Sequence, residues 1–92
     1  MSVQENKSGE VVFICNAPLA KRVYLAGTFN SWDATARRMV KTPDGSFRAK
    51  LKLKPGTYEY RFVIDGSWTS DPGAPACAKN PYGSENSVAQ IG

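Results

Sequence analysis

Short stretches of alternating apolar and polar residues, separated by frequent turn signals, predict an all-β domain for this chain. The alternation is clearest in residues 47–53, FRAKLKL, where every second residue is apolar and the residues between them are Arg or Lys. Two turn signals, Asp44-Gly45 and Asp65-Gly66, are pairs suited to the positive φ angles of a tight β-hairpin. About seven short strands at this spacing indicate an immunoglobulin-like β-sandwich.

The predicted strands follow one another with short connections. An apolar run, residues 11–16, predicts a buried first strand. In the second strand, residues 22–27, Val and Leu lie on one face and Tyr24 on the other. Three prolines between residues 72 and 81 predict an irregular crossing before the last strand. The further predicted strands are residues 38–42, 46–53 and 57–64, a short strand at Trp68, and residues 87–91.

Two of these strands separate the core from the surface most clearly. In residues 57–64 the aromatic residues share one face, so Arg61 is expected to point away from the core. In residues 46–53 a basic stripe is expected to form the face in contact with water. The residues of this stripe are Arg48, Lys50 and Lys52, and the aromatic residues predicted for the core are Phe13, Phe47, Tyr58, Tyr60 and Phe62.

Length and composition predict one ordinary globular domain. The chain has 92 residues, of which 41% are hydrophobic and 22% charged, and a chain of this size supports a single modest core. We expect residues 1–10 to be a flexible N-terminus and residues 11–92 to form the domain. Because the start of the chain is polar and no long apolar run follows, we predict no membrane span, no secretory signal and a cytoplasmic location.

The types of residue present predict that the chain is not an enzyme and that it binds neither a metal nor a cofactor. The chain contains no histidine, and therefore lacks the commonest general base and metal ligand. Its two cysteines, Cys15 and Cys77, do not have the CxxC spacing of zinc or redox sites. We predict that both are reduced thiols rather than a disulfide. The net charge of +4 permits weak attraction to polyanions without requiring it.

One combination of motifs is more specific than the strand pattern. The stretches are VYLAGTFNSWD, residues 23–33, and KPGTYEYRFVIDGSW, residues 54–68, with Asp71-Pro72 just beyond them. Together they resemble carbohydrate-binding module family 48, in particular the glycogen-binding domain of the β subunit of AMP-activated protein kinase. The resemblance covers roughly residues 11–91. It implies an early-set immunoglobulin-like sandwich that binds α-1,4-linked glucans without catalysis, alone or attached to a partner enzyme or kinase subunit.

The resemblance also implies a site. The family stacks sugar rings on two tryptophans, and Trp32 and Trp68 occupy the matching positions. Stacking suits this ligand because the C–H faces of glucose are apolar while its hydroxyls need hydrogen-bond partners. The remaining positions that match the family's sugar-contacting residues are Arg61, Tyr82, Ser84 and Asn86. The family's kinase member has lysine in place of Arg61 and leucine in place of Tyr82.

Simpler interpretations of these residues remain open at the sequence level. Trp32 could pack in the core, and Arg61 could pair with Glu59 on the outer face. Tyr82 could stack on sugar as a third aromatic or simply pack. Ser and Asn near the end of the chain are also common turn residues.

Three other functions compete with glucan binding. A domain of the same fold could dock on a partner enzyme without useful sugar affinity, since fold does not determine function. The basic stripe could bind single-stranded nucleic acid, but it is short and has no interleaved stacking aromatic, so nucleic acid is not expected. Paired carboxylates among Asp33, Asp65 and Asp71 could hydrolyse glycosides, but the Asp-Gly and Asp-Pro pairs are explained by turns.

Overall fold

The computed structural model describes residues 3–5, 9–71, 73–74, 76–79 and 85–92. Within them the chain forms nine strands and a single 3-10 turn, Thr28–Asn30. The strands form two antiparallel sheets. This confirms the predicted all-β sandwich. The strands are β1 Val3–Glu5, β2 Glu10–Asn16, β3 Val23–Gly27, β4 Val40–Lys41, β5 Ser46–Lys52, β6 Gly56–Ile64, β7 Ser67–Thr69, β8 Ala76–Lys79 and β9 Glu85–Ile91.

The first sheet has the strand order β1-β2-β5-β4. In its central pair Phe13 lies opposite Ala49, and both side chains are buried in the core. Because side chains alternate between faces, the basic residues of β5 lie on the opposite face. Lys50 and Lys52 are exposed and Arg48 is half-buried, as the predicted water-facing stripe requires.

The second sheet has the order β3-β6-β9-β8, with the short β7 also paired to β6. Its longest strand, β6, sends Tyr60 and Phe62 into the core, where they are 0% and 2% exposed. The Tyr60 ring packs edge-on against Phe13 of the other sheet, with 5.0 Å between ring centroids. These aromatic contacts join the two sheets.

A buried polar link accompanies this packing. The Tyr60 hydroxyl donates a hydrogen bond of 2.6 Å to Oδ2 of Asp71. The backbone N–H of Asp71 in turn donates to the hydroxyl of Ser87 at 2.7 Å. Burial, and then the neighbouring carboxylate, raise the pKa of Tyr60, so the phenol stays protonated and remains a donor.

Two strands and the burial of one side chain differ from the predicted pattern. The polar segment β1 pairs with β2, and β8 lies within the proline-rich segment and pairs with β9. Both are short strands stabilised by pairing with a longer neighbour, which local propensity does not reveal. Val63 lies on the outer face of β6 yet is only 5% exposed, because Tyr24 and Trp68 flank it on the adjacent strands.

Candidate functional site

Trp68 projects from the outer face of the second sheet. The turn before it, Asp65-Gly66, has positive φ angles of 47° and 88°, as the sequence predicted for a tight hairpin. In that hairpin Trp68 lies opposite Val63, with its side chain 41% exposed. A single exposed tryptophan needs no explanation, so its meaning depends on what lies beside it.

Trp32 lies on the loop that follows β3, and its neighbours hold that loop tightly. Asn30 accepts a hydrogen bond from the N–H of Gly27 at 3.0 Å and donates to the carbonyl of Leu25 at 2.9 Å. Phe29 anchors the loop by packing against Phe13 of the core, with 5.5 Å between centroids. The side chain of Trp32 is half-buried.

Close packing beneath the loop explains a glycine in the motif. A Cβ atom at Gly27 would lie 2.5 Å from the carbonyl oxygen of Glu59 and 2.7 Å from the Phe29 ring. Beyond the 3-10 turn, Ser31 and Trp32 have positive φ angles of 56° and 59°. Such angles are uncommon in residues other than glycine. The loop conformation that presents Trp32 therefore depends on tertiary contacts.

The fold brings the two tryptophans together. Their ring centroids are 6.5 Å apart and the ring planes are tilted by 41°. They come from different segments, the loop after β3 and strand β7, which meet only in the folded chain. Two neighbouring aromatic side chains on one face form a surface that can cover apolar faces of a ligand. We call Trp32 and Trp68 the tryptophan pair.

Polar groups lie beside the tryptophan pair. One guanidinium nitrogen of Arg61 donates to the backbone carbonyl of Trp68 at 3.3 Å, so Arg61 points away from the core as predicted. Asn86, only 8% exposed, donates through Nδ2 to Oε1 of Glu59 at 3.2 Å. Glu59 and Arg61 are two residues apart on β6 and therefore share a face. Arg61 is thus in contact with Trp68, and Glu59, bonded to Asn86, lies on the same face of β6.

Glu59 is a candidate site residue that the sequence analysis did not select. Its backbone N–H donates a hydrogen bond of 3.3 Å to the hydroxyl oxygen of Thr28, which ties β6 to the loop of Trp32. Its carboxylate positions Asn86. The period-two pattern already places Glu59 on the face of Arg61, but its bond to Asn86 depends on how β9 pairs with β6. Two predicted residues, Tyr82 and Ser84, lie outside the described residues.

The carboxylates considered for hydrolysis have structural partners. Asp33 accepts hydrogen bonds from the N–H and hydroxyl of Thr35 at 2.9 and 3.0 Å, which lower its pKa. Asp71 is buried against Tyr60. Asp65 accepts hydrogen bonds from the backbone N–H of Arg22 at 2.8 Å and of its neighbour Lys21. These contacts show each carboxylate holding a turn or a loop.

The cysteines are free thiols in the structure, Cys15 buried and Cys77 exposed, in agreement with the prediction. Burial raises the pKa of Cys15 to about 11. Within the described ranges, no group of His, Cys, Asp and Glu side chains is arranged to hold a metal ion. The same part of the chain contains no helix with the length and apolar character needed to cross a bilayer.

Comparison with protein families identifies the family to which this sandwich belongs. Residues 6–92 match the family described as the glycogen recognition site of AMP-activated protein kinase. The chain belongs to this family. The resemblance inferred from the two motifs is therefore confirmed, and the glycogen recognition family is one of carbohydrate-binding modules.

Relatives of this glycogen recognition domain occur in plants and animals. Protein FLOURY ENDOSPERM 6, chloroplastic, from Oryza sativa subsp. japonica is 38% identical over 80 residues, which are 87% of this chain and 15% of that protein. Protein PTST homolog 2, chloroplastic, from Arabidopsis thaliana is 43% identical over 63 residues, 68% of this chain and 12% of that protein. The β-1 subunit of 5'-AMP-activated protein kinase from Homo sapiens is 35% identical over 71 residues, 77% of this chain and 25% of the subunit.

The chain thus spans a quarter or less of the length of these three relatives. Two of them are named as chloroplastic, so a cytoplasmic location stays a prediction for this chain.

Proposed function

We propose that this chain is a non-catalytic module that binds α-1,4-linked glucans such as glycogen, starch and malto-oligosaccharides. The observation that carries the proposal is the tryptophan pair, 6.5 Å apart on one face, in a chain of the glycogen recognition family. Sugar rings stack on Trp32 and Trp68, and hydroxyl groups bond to neighbouring polar side chains.

The tryptophan pair suits a curved chain of sugars. Its two planes are inclined by 41°, and successive rings of an α-1,4-linked glucan are likewise not coplanar. Each stacked ring contributes about 1–2 kcal/mol by area burial, and this sum is reduced by the entropy lost on association. The expected dissociation constant for a short oligosaccharide therefore lies roughly between micromolar and millimolar.

Arg61 and Asn86 orient the ligand in this proposal. A guanidinium group presents several N–H donors in one plane and can bridge two hydroxyls. Asn86 is held by Glu59, so its amide is ordered before a sugar arrives, and less entropy is lost on binding. Tyr82 and Ser84 stay in the proposed site on the strength of the resemblance alone.

Native affinity electrophoresis in gels containing glycogen or amylopectin tests the proposal. The wild type should be retarded, and Trp32→Ala and Trp68→Ala should each weaken binding by about 5–30-fold, the equivalent of 1–2 kcal/mol. Val40→Ala is the matched control, because Val40 is 69% exposed but lies on β4 of the other sheet. A polysaccharide-free gel reports on folding.

Titration of tryptophan fluorescence with maltoheptaose tests whether the module selects the α-1,4 glycosidic linkage. A saturable change with maltoheptaose and none with a β-1,4-linked glucose oligomer is expected. Arg61→Gln should raise the dissociation constant about 3–10-fold, equivalent to about 0.7–1.4 kcal/mol, the net cost of one lost hydrogen bond.

In the electrophoresis experiment, unchanged migration of the wild type at every polysaccharide concentration would reject glucan binding.

We further propose that the module holds an attached or partner enzyme on a glucan surface. One relative is named as a kinase subunit, and weak sugar sites become effective when several act together. Co-sedimentation of such an enzyme with glycogen should require the wild-type Trp68. Equal co-sedimentation with Trp68→Ala would contradict this role.

A further inference from the structure

A row of side chains continues the outer face of the second sheet beyond Trp68. Trp68 lies opposite Val63, Val63 opposite Tyr24, and Tyr24 forms an isolated antiparallel bridge with Arg38. Residues paired in this way point to the same face. At about 4.8 Å between strands, the row extends roughly 14 Å from the indole to a guanidinium-bearing residue.

An open depression of about 560 Å³ adjoins this row. It is lined by Lys21, Arg22, Tyr24, Asp65 and Gly66, so Tyr24 belongs both to the row and to the depression. Because it is open to solvent, a ligand there would be held at the surface rather than enclosed. The hairpin turn that leads into β7 forms one wall, which places the depression next to the strand that carries Trp68.

The charge of the depression is set by two cations and one engaged carboxylate. Oδ1 of Asp65 accepts the backbone N–H groups of Lys21 and Arg22 at 3.0 and 2.8 Å. The carboxylate therefore serves the loop backbone, while the side chains of Lys21 and Arg22 are exposed. Lys21 also lines a second depression that includes Arg38. Cationic side chains thus outnumber carboxylates beside the row.

We propose that this depression is a subsite for a phosphate monoester carried by the glucan. The inference rests on the proposed function, because the tryptophan pair would hold the chain whose substituted sugar reaches Tyr24. A phosphate monoester carries a charge of about −1.5 to −2 at pH 7 and offers three acceptor oxygens. Arg and Lys are the side chains that bind such a group best.

The test compares maltoheptaose with the same oligosaccharide bearing one phosphate ester on a primary hydroxyl. At low ionic strength the phosphorylated ligand should bind the wild type about 3–10-fold more tightly. The advantage should shrink to less than about twofold in 0.5 M salt, because exposed charges are screened at that concentration.

The double variant Lys21→Gln/Arg22→Gln should lose the advantage and keep its affinity for neutral maltoheptaose. These substitutions leave the backbone N–H groups that bind Asp65 in place, so the loop should fold normally. The matched control, Lys50→Gln/Lys52→Gln, removes the same charge from exposed residues of the other sheet. It should retain the full advantage.

Each outcome separates this subsite from glucan binding itself. Equal affinity of the wild type for both ligands would overturn the subsite and leave the module intact. Equal loss in both double variants would show an effect of net charge and also overturn it. Failure of the wild type to bind neutral maltoheptaose would reject the proposed function and, with it, the inference. A single-stranded oligonucleotide that binds more tightly through the same two cations would replace the subsite with a nucleic-acid surface.

Discussion

Replacing Tyr60 with phenylalanine removes one hydroxyl from the buried polar link that connects β6, Asp71 and β9. That hydroxyl donates at 2.6 Å to Asp71, and the two residues are 0% and 7% exposed. A buried carboxylate that loses a donor cannot recover it from water, so the cost exceeds that of an exposed hydrogen bond. We expect Tyr60→Phe to lower the free energy of unfolding by about 1.5–3 kcal/mol.

Tyr58→Phe is the matched control on the same strand. Its hydroxyl donates to the carbonyl of Lys54 at 2.6 Å, but at an exposed position, where water replaces the lost partner. The expected cost is about 0.5 kcal/mol or less. The difference between the two variants measures the combined contribution of burial and of the charged acceptor.

Urea denaturation followed by tryptophan fluorescence measures both costs. In thermal unfolding, a loss of about 2 kcal/mol should appear as a midpoint temperature lowered by about 8–16 °C in a domain of this size. Affinity for maltoheptaose should be unchanged by Tyr60→Phe in the folded protein, because Tyr60 faces the core and the tryptophan pair faces outward. Equal stability of the Tyr60→Phe and Tyr58→Phe variants would refute the argument from burial.

Three further predictions test other parts of the structure. Gly27→Ala should lower the free energy of unfolding by about 1–3 kcal/mol, because the new Cβ would lie 2.5 Å from the Glu59 carbonyl; denaturation within 0.5 kcal/mol of wild type would contradict it. An aromatic disulfide reagent at pH 8 should label exposed Cys77 in the folded protein and buried Cys15 only on unfolding; rapid labelling of two thiols would be the opposite result. Hydrogen bonds lower the pKa of Asp44, so its contribution to stability is present above its unfolded pKa of about 4 and lost as pH falls further; Asp44→Asn should therefore flatten the acid limb of a stability profile, and an unchanged limb would exclude this role.

Several features of the fold could be predicted from local sequence. The alternation in residues 46–53 places each side chain on a face because the strand period is two. The Asp65-Gly66 pair predicts its own turn, since its φ angles are local properties. In contrast, β1 and β8 are stable only when paired with β2 and β9. Their partners are only 6–12 residues away, but the pairing depends on β2 and β9 being held in the sheets rather than on the residues of β1 and β8, and neither strand was predicted.

The candidate site likewise has a part that the sequence predicts and a part that only the folded chain shows. The motifs around Trp32 and Trp68 mark both residues in the sequence, but the 6.5 Å between their rings depends on a loop packed over Phe29 and on the pairing of β7 with β6. Glu59 shows the same limit, because its bond to Asn86 requires β9 to align with β6 in one register.

By itself the sequence determined the β class, the hairpin turns, the faces of the strands and the family motifs. Tertiary structure decided which outer residues are neighbours. It placed Val63 in a buried position between Tyr24 and Trp68, and it brought Lys21 against the Asp65 turn. The physical reason is that the geometry of one strand sets the sheet face on which each side chain lies. Which side chains become neighbours is set by the hydrogen-bond register and by loop closure between different segments.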